Sequence, residues 1–144
     1  MWRLFAAAGL IVVMGASTAH EYAVGQVWTY HVRPGDEGST LQINKIDQDP
    51  KLGAIFHISV FGVHTSGSRS TGNIASELPH LPVSKQTLDA SVEALSSSPY
   101  RQVAYEQGYS IWRQAFDSGH GGVYTIAIAE IISTAEKAIA SGGQ

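Results

Sequence analysis

The chain has 144 residues, six histidines, no cysteine, and nine Lys/Arg against twelve Asp/Glu, a formal charge of −3. Lack of cysteine excludes disulfides, a thiol nucleophile, a Cys-ligated metal and a lipid-modified cysteine. The mildly acidic balance, with no basic block or stripe, argues against nucleic acid or an anionic membrane as partner.

Residues 1–19 read as a cleavable secretory signal peptide. Arg3 supplies a positive start, Leu4 to Met14 is an apolar run, and Ser17-Thr18-Ala19 fits a small-x-small cleavage site. The uncharged stretch from Leu4 to Ala19 falls short of the ~20 residues a spanning helix needs. The expectation is a periplasmic or secreted protein whose mature part, 20–144, is a single small α+β domain. Loss of Arg3 takes its formal charge from −3 to −4. No later segment has the length and apolarity to span a bilayer, so the mature form is expected to be soluble and not membrane-embedded.

Residues 22–33 alternate with period two, setting Val24, Trp28, Tyr30 and Val32 against Val27, Thr29, His31 and Arg33. Residues 39–47 continue the alternation with Leu41 and Ile43. The Pro34-Gly35-Asp36-Glu37-Gly38 stretch between them then reads as a hairpin loop. Residues 53–63 are apolar on both faces and read as an interior strand. Residues 64–82 break the pattern and read as a long loop. Ser84 is placed to cap a short helix carrying Leu88, Val92 and Leu95 on one face. Pro99 starts a second helix with an aromatic stripe of Tyr105, Tyr109, Trp112 and Phe116, which Gly119 and Gly121-Gly122 end. Val123 to Ile126 reads as a fourth strand. A last helix shows Ile128, Ile132, Ala135 and Ile139.

The expected architecture is an antiparallel meander of three to four strands with about three helices packed on one face, in the order β-β-β-α-α-β-α. That packing buries Trp28, Tyr30, Leu41 and Ile43 against the aromatic stripe.

On the other face, pairing Val32 with Leu41 gathers Thr29, His31, Arg33, Thr40, Gln42, Asn44, His57 and Ser59. A solvated sheet side accounts for such a polar face; a binding face with two titratable histidines is the functional alternative. The hairpin tip presents Arg33, Asp36 and Glu37. The loop GSRSTGN holds Arg69 among hydroxyls, a group suited to phosphate, carboxylate or sugar. His120 in a His-Gly-Gly run lacks the Gly-x-Ser-x-Gly elbow of an esterase. Asp47 and Asp49 fall in a turn, where carboxylates stay solvated. No HExxH or other ligand spacing occurs, and neither metal nor cofactor is expected.

These features favour an exported, non-enzymatic protein that acts through a surface on another protein in the envelope or outside it. The alternative is a small-ligand binder with a pocket between sheet and aromatic helix, lined by Tyr105, Tyr109 and Trp112. Third stands an enzyme using His31 or His57 as base.

Overall fold

A computed structural model describes residues 20–64 and 77–142, with side chains described as far as residue 138. Residues 1–19, read above as a signal peptide, Arg69 and the side chain of Ile139 lie outside the described residues.

Among the described residues the fold is α+β: one antiparallel five-stranded sheet and three helices. In chain order the elements are β1 (Val27–Tyr30), β2 (Thr40–Asp49), β3 (Gly53–Phe61), β4 (Glu77–Ser84), α1 (Lys85–Ser91), β5 (Val92–Leu95), α2 (Glu106–Asp117) and α3 (Ile128–Gly142). The strands lie in the order β4-β3-β2-β1-β5. Among the described residues no helix is long and apolar enough to cross a membrane.

The expected order β-β-β-α-α-β-α is corrected at four places. First, the stretch read as loop, 64–82, contains most of β4, which pairs Leu81 with Ile58 and continues past it to pair Val83 with Phe56. Its prolines are tolerated because β4 is an edge strand. The Pro82 carbonyl accepts from Tyr124, away from β3, so the N–H that Pro82 lacks is not one β3 requires.

Second, Val92 to Leu95 leave the helix. The N-cap forms as expected, with Thr87 N–H donating to Ser84 Oγ at 3.1 Å. At Val92, however, the backbone turns extended and the segment pairs with the otherwise open edge of β1. Third, α2 begins at Glu106, not Pro99, because the main chain at Arg101 is hydrogen-bonded to the side chain of Gln42. Fourth, Val123 to Ile126 form no strand; Tyr124 makes a single parallel bridge to Val83.

Pairing of β1 with β2 sets Trp28 opposite Leu41 and Val27 opposite Gln42, not Val32 opposite Leu41. The β2–β3 pairing places Ile43 beside Ile58 and Gln42 beside Ser59, as the alternation indicates. A bulge at Asn44 then shifts the register, so His57 faces Lys45. A second bulge in β4, between Leu78 and Leu81, sets Pro79 and His80 against Ser59.

One face carries Trp28, Tyr30, Leu41, Ile43, Phe56, Ile58, Val60 and Val83, packed with Leu88 of α1, Val92 and the α3 residues Ile128, Ile131 and Ile132. The aromatic stripe of α2 is not part of this core. Trp112 and Tyr109 pack against His57, on the opposite face of the sheet. Helices therefore cover both faces, and the expected one-sided packing is overturned.

Candidate functional site

The polar face of the sheet is buried. Gln42, His57 and Ser59 are each 0% exposed and Asn44 only 5%, which corrects the expectation of a solvated side. Burial of so many polar groups requires partners for each. Gln42 Nε2 donates to the Arg101 carbonyl at 2.7 Å and to Asn44 Oδ1 at 2.9 Å, while Gln42 Oε1 accepts from the Arg101 N–H at 3.0 Å. Asn44 Nδ2 donates to Ser59 Oγ, and Ser59 Oγ to the Pro79 carbonyl. Tyr100 closes the row by donating to Asn44 Oδ1. This half of the face replaces water with a fixed set of amides and hydroxyls.

The other half holds three titratable groups in a line. Asp47 lies on β2 rather than in a turn, with its Oδ2 3.1 Å from His57 Nε2. His57 Nδ1 is 2.9 Å from His80 Nε2, and the two rings stack with centroids 5.1 Å apart. Tyr109 of α2 donates to Asp47 Oδ2 at 2.8 Å. Lys45 Nζ and Arg113 Nη1 stand 3.9 and 3.7 Å from the same carboxylate.

Electrostatics fix the protonation of this line. Burial pushes Asp47 up, but the Tyr109 hydroxyl, His57 and Lys45 outweigh it and hold the carboxyl below its usual range. Burial pushes His57 down despite Asp47, and pushes His80 down to about 4. Tyr109 is raised by burial and by its bond to Asp47. At neutral pH the carboxylate is ionised and both imidazoles are neutral. A neutral imidazole has one donor and one acceptor nitrogen. His57 Nε2–H must donate to Asp47, so His57 Nδ1 accepts from His80 Nε2–H.

Beside His80 lies a cavity of about 380 Å³, with Leu81 and Pro82 of β4, Trp112 of α2, and Gly122, Val123 and Tyr124 in its wall. Trp112 is fixed there because its indole N–H donates to the Gly122 carbonyl at 2.8 Å. Gly108 lets α2 approach β4: a Cβ at that position would stand 2.9 Å from the Cβ of His80 and 3.4 Å from its Nδ1. Gly121 is similarly constrained, since a Cβ would meet the Phe116 nitrogen at 2.5 Å.

The residues singled out in the sequence do not stay together. Gln42, Asn44 and His57 do share the buried face. His31 does not; it is exposed and pairs with Glu93 at 2.8 Å. Arg33 and Asp36 turn inward. Arg33 Nε donates to Asp36 Oδ2 at 2.7 Å, and its other nitrogens reach Glu136 of α3 and the His64 carbonyl. Asp36, 1% exposed, also accepts from the His64 N–H. Glu37 stays on the surface and accepts from the Gly35 N–H. Arg69 lies outside the described residues.

Asp47 and His80 were missed as site residues. The only signal for His80 was the short alternation of Leu81 and Val83 behind two prolines. Of the stripe residues Tyr105, Tyr109 and Trp112 expected to line a pocket, Trp112 lines this cavity and Tyr105 and Tyr109 do not. Among the described residues, no group of three or more His, Cys, Asp or Glu is arranged to hold a metal ion. Comparison of the chain with protein-family models, curated proteins and solved structures gave no match.

Proposed function

We propose that this is an exported protein that holds a small, flat, largely apolar ligand in the cleft beside Trp112. The observation that carries the reading is the cleft itself, about 380 Å³ between β4, α2 and the 122–124 segment. That size falls in the ~300–1,000 Å³ range of small-molecule sites, which are mostly apolar with a few placed polar groups. Here the walls are an indole, Leu81, Pro82 and Val123, and the placed polar group is His80. Export is supported by Arg3, the Leu4 to Met14 run and Ser17-Thr18-Ala19. Titrating the full chain with small aromatic compounds while following the Trp112 indole N–H by NMR tests the reading. A saturable shift of that resonance is expected; no shift with any flat aromatic at millimolar concentration would remove it.

A protein partner is the second reading, and β5 favours it. This four-residue strand ends the sheet and leaves Leu95 59% exposed, an edge to which another chain could add. Capture of an envelope protein that is lost in Leu95→Lys would support this reading, and equal capture by both forms would count against it. Charge reversal at Arg33 does not test a surface contact, because Arg33 is bonded internally to Asp36 and Glu136.

A further inference from the structure

The line Asp47–His57–His80 has a direction, and the cleft lies at its far end. Asp47 Oδ2 can only accept, so the His57 proton sits on Nε2, 3.1 Å away. His57 Nδ1 is then a lone pair, and the proton shared across the 2.9 Å contact belongs to His80 Nε2. His80 is left with a bare Nδ1. Of the two nitrogens on a ring that lines the cleft, this is the one without a hydrogen-bond partner among the described residues.

We infer that His80 Nδ1 is a hydrogen-bond acceptor for the ligand, and that the cleft selects aromatic compounds carrying a phenol-type hydroxyl. The inference rests on the small-ligand reading of the cleft. It goes further by naming the chemistry that an indole wall and one imidazole lone pair recognise together: a flat ring with a donor on its rim. In this scheme His57 and Asp47 are positioning residues. They touch no ligand; they determine which nitrogen of His80 bears the proton. Lys45, Arg113 and Tyr109 surround Asp47 and keep it ionised, so the direction of the line holds at neutral pH.

Two measurements on the full chain test this. Long-range ¹⁵N–¹H spectra report which nitrogen of each imidazole is protonated; Nε2 is expected for both His57 and His80, and a proton on His80 Nδ1 would overturn the inference. Binding of p-cresol and 4-methylanisole, followed at the Trp112 indole N–H, gives the second readout. The two differ by a methyl on the oxygen, so p-cresol is expected to bind roughly tenfold more tightly, the size of a well-formed hydrogen bond lost with its acceptor left unpaired.

Asp47→Asn releases the constraint on the tautomer and should bring the two affinities together while the cleft still binds both. Equal binding to the unaltered protein would sink the acceptor role and leave the cleft as a ligand site. Binding of neither compound would remove both the inference and the reading beneath it. A preference that survives Asp47→Asn would overturn the role given to the Asp47–His57 line.

Discussion

The two faces of one sheet are both buried, yet by different means. The face under α1 and α3 excludes water with Leu41, Ile43, Ile58, Val60 and three isoleucines of α3. The face under α2 and the 99–101 segment excludes it with Gln42, Asn44, His57 and Ser59, each tied to a named partner. Apolar contacts tolerate small shifts, because dispersion and burial are non-directional. Hydrogen bonds in a desolvated row do not, since a misplaced partner leaves a group unpaired. The first face supplies stability, while the second fixes geometry around the cleft.

The largest effect expected is on the apolar face. Ile58→Ala should cost about 2–5 kcal/mol in urea denaturation, from lost burial and the cavity left behind. Gln42→Leu is nearly isosteric but strands the Arg101 N–H and carbonyl; about 1–3 kcal/mol is expected. A cost for Gln42→Leu as large as that of Ile58→Ala would erase the contrast between the faces. Gly108→Ala pushes against His80 and should disturb the His57–His80 contact, seen as altered imidazole resonances, with a stability loss of about 1–3 kcal/mol.

Acidification should separate the faces further. His80 is neutral in the folded chain down to about pH 4, while an unfolded histidine titrates near its ordinary 6.5. Between those values the unfolded chain binds the extra proton, so stability falls as pH falls through this window. His57, also depressed, acts in the same direction, and Asp47 adds its loss in the carboxylate range. Denaturation midpoints measured from pH 7 to pH 4 should fall, and fall less in His80→Asn; an equal fall would exclude His80 as a source. The smallest effect belongs to His31→Ala. Its ring is exposed and, among the described residues, bonded to half-exposed Glu93, so a change within about 0.5 kcal/mol is expected by the same denaturation.

How far the sequence reveals this arrangement follows from the range of each interaction. Leu41, Ile43, Ile58 and the Ser84 cap are legible because alternation and capping are local signals. The extended path of 92–95 is not, because Leu88, Val92 and Leu95 also fit a helical period. What decides there is an open β1 edge more than sixty residues away in sequence. Burial of Gln42 and His57 is equally hidden, since a polar strand face reads the same whether water or another element covers it. Nor does any local signal announce a bulge. Asn44 and the Pro79–His80 pair are single-residue offsets in a ladder, and they decide which side chains meet around His57.

The contact between Tyr124 and β4 has a consequence for how this molecule meets copies of itself. Tyr124 donates to the Pro82 carbonyl and accepts from the Ser84 N–H, and Pro82 has no N–H to offer. A strand arriving along Pro82 to Ser84 finds no free rung, so sheet extension is blocked there. The opposite end of the sheet, at β5, carries no such seal among these contacts. Strand addition is therefore opposed along Pro82 to Ser84 and not at β5. If two copies met through β5, the Tyr124 cover on each outward-facing β4 would oppose a further strand along Pro82 to Ser84, one brake on the additions that build a fibre.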